Sequence, residues 1–270
     1  MKRKDGGRTD GLGPARLDGD KKSDKLFVEA LARGIRVLES FSESARPMSL
    51  SAIAKAAGCD KSAAQRLTHT LLAMGYLEKT TGGLVPGRRI MERSFDYLRA
   101  SPLVERAIPI LADLRRTVNE RVDLSLFDDT SMMYIIRMQS KRDSFVSHLT
   151  GARVPTYCTS GGRAVLAQLP HDQVLDIISR SDKKKLTPRT TTKVEDILAR
   201  IEEVRETGYS LAIEEVLVGE VAVGAAVLDA RGYPVAAIHI VGSLGEWAPQ
   251  DFVQRVGPLV STAANSLRTP

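Results

Sequence analysis

The sequence predicts a two-domain α+β protein: an N-terminal winged helix-turn-helix, a linker helix, and a C-terminal antiparallel sheet domain with flanking helices. Three observations predict it. Between Ser49 and Lys79, two short helical patterns are joined by a tight turn and followed at once by a hairpin pattern. Beyond Asn119 the hydrophobic period changes to strand-like runs interleaved with amphipathic helices. The charge is also divided. Residues 1–25 carry eight Lys/Arg against five Asp, residues 26–100 eleven against seven acids, and residues 101–270 twenty against twenty-one. A positive excess confined to the front is the footprint of a polyanion-binding module joined to a nearly neutral partner domain.

With 270 residues the chain is long enough for two separate cores. The boundaries are set at 1–25 for a basic tail, 26–87 for the winged helix, 88–101 for the linker helix and 102–270 for the sheet domain. The tail has Leu12 and Leu17 as its only large apolar groups after the initiator, too few to offset the entropy of ordering it. It is expected to be disordered. No apolar run reaches the length of a bilayer, and the basic start lacks the apolar centre of a signal peptide. A cytoplasmic location is expected. Cys59 and Cys158 fall in different predicted domains, which argues against a disulfide framework.

Val28, Leu31, Ile35, Leu38 and Phe41 recur at helical spacing and predict a first helix whose stripe closes over the next two. In the first of those two, Leu50, Ile53, Ala54 and Ala57 share a face, Ser49 is the N-cap, and Gly58 supplies the left-handed stop. Asp60 then caps a helix predicted over Lys61–Met74, with Ala63, Leu67, Thr70, Leu71 and Met74 turned inward. Lys61, Ser62, Gln65, Arg66 and His69 are left outside. These are donors suited to phosphates and base edges, Gln for adenine and Arg for guanine. A solvated surface is the plainer reading of such a face, but no Asp or Glu interrupts the run from Lys61 to Gly75, where a merely soluble helix mixes its signs. After Gly75, residues 76–80 and 84–85 form a hairpin around Gly82-Gly83, flanked by Lys79, Arg88 and Arg89 as candidate phosphate contacts.

The linker helix follows from Ile90, Ser94, Tyr97 and Leu98. A further helix runs from Leu103 to about Val118, kinked or broken at Pro109. Strands are predicted at Val122–Phe127, Met132–Met138, Phe145–Leu149, Tyr209–Ile213, Val221–Leu228 and Val235–Val241. Helices are predicted at Gly161–Leu169, Asp172–Ser179, Val194–Thr207 and Pro249–Leu267.

Within this half, the stretch Tyr157 to Arg163 leads small polar residues into two glycines and an apolar helix. Backbone N–H groups at a helix start, with glycines permitting close approach and Thr159 and Ser160 adding hydroxyls, make a seat for a carboxylate or phosphate. From spacing alone the same residues also fit a simple turn capped by Ser160. His148 and His239 lie on predicted strands, where a hydrogen-bonded core histidine is the default. Together with Cys158 they lack any short-range metal-ligand pair, so no metal and no cofactor are expected.

Residues Phe27 to Leu38, the stretch SLSAIAKAAGCDKSAAQRLTHTLLAMGYLEK, and the blocks Pro155–Ala164 and Gly208–Glu215 resemble, in that order, the IclR family of bacterial transcriptional regulators. The resemblance spans about Leu26 to Leu267 and implies a GAF-like C-terminal fold that binds an effector. TYCTSGGRAVLA is similar to the subgroup that senses aromatic acids and β-ketoadipate-pathway intermediates. By position, the resemblance implies an effector pocket at Cys158, Thr159, Ser160 and Gly161, with Ala212, Glu220, Ala222 and His239 on the opposite wall. Arg137 and Arg153 are candidate counter-ions, or ordinary surface arginines. Glu220 departs from related sequences, which often carry an aliphatic or basic residue there, and an acid facing the cavity complicates a monoanionic effector. The implied partners are a roughly palindromic double-stranded DNA operator, a small carboxylate or aromatic acid, and a second subunit, as homodimer or dimer of dimers, joined through the linker helices. Two rivals remain: an enzyme using Cys158 as nucleophile with a strand histidine as base, and a second domain that only oligomerises.

Overall fold

A computed structural model describes residues 26–42, 46–139 and 149–268. The tail 1–25, His148 and most of the strand expected at Phe145–Leu149 lie outside the described residues, and Leu149 itself is not in a strand. The chain divides into two compact units between Ser101 and Pro102.

The first unit holds α1 (Glu29–Glu39), α2 (Leu50–Ala56), α3 (Lys61–Ala73), the hairpin β1 (Leu77–Thr80) and β2 (Gly83–Pro86), and α4 (Arg89–Arg99). Caps set the boundaries. Ser49 accepts from the Ala52 N–H at 3.2 Å and Asp60 from the Ala63 N–H at 2.8 Å, while Gly58 and Gly75 take φ of +64° and +76°. Val37, Phe41, Ile53, Ala57 and Leu77 form the core. The inward stripe of α3 differs from the expected one: Ala64 and Thr68 are buried with Leu67, Leu71 and Leu72 partly so, whereas Thr70 and Met74 are exposed. Thr68 tolerates burial because its hydroxyl donates to the Ala64 carbonyl at 2.7 Å. On α1 only Val37 and Leu38, with Phe41 just beyond the helix, turn inward; Val28, Leu31 and Ile35 are exposed. The regular apolar spacing there belongs to a second, outward face.

The second unit begins with α5 (Pro102–Val118), which runs through Pro109 without the expected break. It continues through β3 (Arg121–Asp128), β4 (Ser131–Met138), β5 (Arg153–Pro155), α6 (Ser160–Leu166), α7 (His171–Arg180), α8 (Val194–Thr207), β6 (Ser210–Ile213), β7 (Glu220–Leu228), β8 (Pro234–Ser243) and α9 (Pro249–Ser266). Three-residue β5 escaped the sequence reading because it is too short to show a period. The six strands form one antiparallel sheet in the order β5-β4-β3-β8-β7-β6.

Strand alternation then decides the two faces. Val122, Leu124, Val221, Val223, Ile238 and Ile240 point to the face covered by α5 and α9, where Phe252 packs on Gly242. The other face carries Arg121, Asp123, Ser125, Tyr134, Glu220, Ala222, Gly224 and His239, and α6 lies on it. Behind α6, an apolar cluster with Tyr157, Cys158, Leu166, Ile177, Ile178, Ile197 and Ile201 joins it to α7 and α8.

Candidate functional site

In the first unit Lys61, Ser62, Gln65, Arg66 and His69 are all exposed along one side of α3. Turns at 3.6 residues bring 61–62, 65–66 and 69 onto one flank. Lys79 is exposed on β1. The two wing arginines are more committed than expected. Arg88 places its backbone N–H 3.2 Å from a Glu78 oxygen and its guanidinium 3.5 Å from the same carboxylate, and Arg89 reaches the Met74 carbonyl at 3.4 Å. A cation at the C-terminus of α3 favours that helix dipole. Arg89 therefore braces the C-terminal end of α3 while staying half exposed.

In the second unit Thr159, not Ser160, caps α6: its hydroxyl accepts from the Gly162 N–H at 3.1 Å and donates to the Pro155 carbonyl at 3.0 Å. The two glycines have a packing reason. A Cβ on Gly161 would lie 2.1 Å from the His239 ring, and one on Gly162 would lie 2.1 Å from the Thr156 carbonyl oxygen. Gly224 on β7 allows the same closeness from the sheet, since its Cβ would meet the Ser160–Gly161 backbone. So α6 sits directly on β7 and β8, and Ser160 reaches the strand residues expected on the opposite wall.

His239 is fully enclosed there. Its Nε2 lies 2.6 Å from Ser125 Oγ, its Nδ1 lies 3.4 Å from Ser160 Oγ, and the Tyr134 ring is 5.4 Å away between centroids. Burial, reinforced by Arg137 and Arg121, lowers its pKa to about 3, so the ring is neutral at physiological pH. Ala212 and Ala222 face each other across β6 and β7 on the same side of the sheet.

Beside them is a four-charge cluster. Arg121 donates to both oxygens of Glu220, at 2.9 and 3.2 Å, and to Asp123 at 3.2 Å. Arg137 takes both oxygens of Asp123, at 3.3 and 3.2 Å, and stacks 4.1 Å from the Tyr134 ring centre. Arg137 is therefore a buried ion-pair residue and not the surface arginine that was the plainer expectation; Arg153 is half exposed and paired with Asp128. Burial pushes the Asp123 carboxyl above its ordinary value despite both arginines. It also opposes the charge on Arg121, where Asp123 and Glu220 outweigh it. Among the described residues, two guanidiniums here meet two carboxylates. Arg121, Asp123, Ser125 and Tyr134 were missed in the sequence. For the first three the signal was a polar residue at every second position of Arg121-Val122-Asp123-Leu124-Ser125, in an otherwise apolar strand.

Cys158 does not join this group. It is fully buried in the apolar cluster behind α6, and burial, outweighing the pull of Arg163, pushes its thiol up to about 12. A thiol held protonated is a poor nucleophile, and His239 is engaged by two serines, so the cysteine-enzyme alternative loses both its members. Arg163 is also buried, clamped to Glu215 by two contacts of 2.6 Å and donating from Nε to the Tyr157 carbonyl at 3.0 Å. Glu215 in turn accepts from the Thr191 N–H at 2.9 Å, tying α6 to the loops before α8 and after β6.

A winged helix with an exposed, acid-free helix face, in a chain that continues into an antiparallel sheet domain with a buried polar cluster, defines a DNA-binding transcriptional regulator. The profile described as the IclR helix-turn-helix domain matches residues 30–81, and that of the bacterial transcriptional regulator IclR C-terminal domain matches residues 95–269. The chain belongs to the IclR family, whose members are transcriptional regulators and not enzymes. Among its relatives is the Pca regulon regulatory protein of Pseudomonas putida, 28% identical over 90% of this chain and 84% of that protein. A transcriptional regulator of Rhodococcus sp. RHA1, solved by crystallography, is 29% identical, with a TM-score of 0.77 over 89% of this chain and 97% of that one. The inducer-binding domain of Acinetobacter PobR, a double mutant crystallised with 3-hydroxybenzoic acid, is 28% identical, with a TM-score of 0.56 over 63% of this chain and 99% of that one.

Proposed function

We propose that this regulator is a cytoplasmic homodimer, or dimer of dimers, that binds a roughly palindromic operator and is switched by an aromatic or short carboxylic acid from a catabolic pathway. The observation that carries the DNA half is the exposed flank Lys61, Ser62, Gln65, Arg66 and His69 on a helix without acids. Two such helices in successive major grooves stand about 34 Å apart, which makes a two-fold operator the natural target. Lys79, Arg88 and Arg89 are assigned to phosphates, with Arg89 divided between that role and its cap on α3. Dimerisation is supported by the outward apolar residues Val28, Leu31 and Ile35 on α1 and Met91 and Phe95 on α4, each 47% exposed or more. No described helix is long and apolar enough to cross a membrane.

The effector half rests on the enclosed polar site beside α6 and on the aromatic acid held by the PobR domain. Ser160, Gly161, Ala212, Ala222, Glu220 and His239 share the α6 side of the sheet and form the assigned pocket; Thr159 shapes it as the cap, and Cys158 backs it from the core. The test is a titration of benzoate and the hydroxybenzoates into the full-length protein, read by Trp247 fluorescence and by anisotropy of an operator duplex. Binding that changes operator affinity is expected. Operator binding with no response to any acid would leave the second domain as an oligomerisation module. Arg66→Ala should weaken specific DNA binding by about 1–3 kcal/mol and leave effector affinity unchanged. Unaltered operator affinity would remove Arg66 from the interface.

A further inference from the structure

The cluster described above raises a difficulty for an anionic effector. Arg137 spends its fork on Asp123 and stacks on Tyr134, and Asp123 is completely buried between the two arginines. Asp123 cannot give up these partners without leaving a fully buried charge poorly compensated. Among the described residues, an acid added to the intact cluster would bring a third carboxylate to two guanidiniums that already hold two, and an added uncompensated charge in a largely buried site is strongly disfavoured. One member is different. The Glu220 side chain is 25% exposed, against 0% for Asp123, and it meets Arg121 through the terminal nitrogens while Nε stays with Asp123.

We propose that Glu220 is a built-in carboxylate ligand of Arg121 that holds the seat of the effector's carboxylate, and that an acid binds by displacing it. This rests on the reading of the domain as an acid sensor, and adds the residue that the acid must compete with. Exchange of one carboxylate for another leaves the charge of the cluster unchanged, and the same two parallel N–H donors of Arg121 serve either partner. Displacement has to come from the side chain and not from the backbone. The Glu220 backbone is pinned at both ends of the loop, its N–H 3.3 Å from the Leu217 carbonyl and its carbonyl accepting from the Glu214 N–H at 2.8 Å. The adjacent loop is separately fastened by Arg163 and Glu215.

The location also fits a ring-bearing acid. Arg121 stands opposite Val241, and Val241 opposite Ala222, so the Arg121–Glu220 pair arches across β8 beside the small residues Ala222 and Ala212. Ser160 packs two residues further along β7, at Gly224, where its hydroxyl faces His239. Two strand residues span roughly 6.6 Å, comparable to the length of a benzene ring with a substituent at each end. An acid anchored on Arg121 thus points its far end at Ser160 and His239, which makes hydroxybenzoates a better class than unsubstituted benzoate.

The experiment measures 4-hydroxybenzoate and its neutral isostere 4-hydroxybenzamide by titration calorimetry on full-length wild type, Glu220→Gln and Glu220→Ala, with melting temperature as a check on folding. Displacement predicts that both variants bind the acid at least tenfold more tightly than wild type, about 1.4 kcal/mol, while the amide, which gains the vacated seat but brings no charge to Arg121, improves by clearly less than the acid. Acid affinity that is unchanged or reduced in both folded variants, with wild type still binding, overturns displacement alone. Tighter binding of acid and amide alike also overturns it, because that reports a larger cavity and not a vacated cation. Absence of binding by all three proteins overturns the acid-sensor reading and displacement together.

Discussion

Gly161→Ala is the most direct perturbation of the contact between α6 and the sheet. The added Cβ would fall 2.1 Å from His239 Cε1, 2.4 Å from Nε2 and 2.8 Å from the Ala237 Cβ. The imidazole cannot simply turn aside, since Ser125 holds its Nε2 at 2.6 Å and Ser160 approaches Nδ1. Either α6 lifts from Gly224 and β8, or the ring moves and leaves a buried nitrogen unmet. Overpacking costs about 1–3 kcal/mol and an unsatisfied buried polar group another 1–3, against a gain of about 1 for replacing glycine inside a helix. The net expectation is a loss of roughly 2–4 kcal/mol. Urea unfolding followed by Trp247 fluorescence reads it cleanly, because the single tryptophan lies in the second unit and packs on Phe252 at 5.6 Å between centroids. Gly151→Ala is the control: nothing stands within 4 Å of its Cβ, and only the φ of +84° opposes it. A Gly161→Ala loss below about 1 kcal/mol would refute the claim that the glycine is there to admit the histidine.

Other outcomes follow from the same geometry. Gly34→Ala on α1 meets nothing within 4 Å and should stabilise the first unit by about 0.5–1 kcal/mol, seen as greater hydrogen-exchange protection of α1 amides; lowered protection would mean that this face is occupied. Arg163→Met leaves Glu215 buried without its cation and should cost about 3–5 kcal/mol in the urea assay, much of it recovered on adding Glu215→Leu; no recovery in the double variant would show that the loops need the ions themselves. His239 titrates near 6.5 when unfolded and about 3 when folded, so the unfolded state takes up the proton first and stability falls as pH drops from 6.5 towards 3. Between about pH 5.5 and 4 this approaches about 1.4 kcal/mol per pH unit, partly offset by Asp123, whose raised carboxyl acts in the opposite direction. His239→Gln should flatten that slope, and an equal slope in the variant would place the acid sensitivity elsewhere.

The first unit was legible to within a residue or two at α2 and α3 because its boundaries are chemical. Ser49 and Asp60 cap with their own side chains, and Gly58 and Gly75 adopt the left-handed backbone that stops a helix. Faces were harder than boundaries. Thr68 and Thr70 look alike in sequence and both return their hydroxyls to the carbonyl four residues back, Ala64 and Arg66, so that bond does not tell them apart; Thr68 is buried because it lies one turn beyond Ala64 on the inward face. The outward stripe of α1 obeys the helical period as well as an inward one does, since periodicity reports that a face is apolar and not what covers it. In the second unit, the loop at Ser160 could be singled out by composition, whereas Arg121 and Asp123 could not. Their partners Glu220 and Arg137 come from other strands, and β3 meets β8 across more than a hundred residues of chain. Cross-strand pairing of that range is fixed by sheet order, which period alone does not contain.

The compensated cluster also bears on how such a site can be selective. A lone arginine in an enclosed pocket would attract any small anion, since one attractive charge discriminates poorly among carboxylates. When Glu220 already fills the fork of Arg121, an incoming acid gains only the difference between itself and that side chain. Small anions gain almost nothing by the exchange. A ligand is favoured only if the rest of it finds further contacts, over Ala222 and Ala212 and at the hydroxyl of Ser160. Under the proposed displacement the internal carboxylate lowers affinity for every acid by a common amount: the ratio between two acids is still set by the body of the molecule, while the threshold concentration rises for all, so that only an acid with such further contacts fills the site at metabolite concentrations.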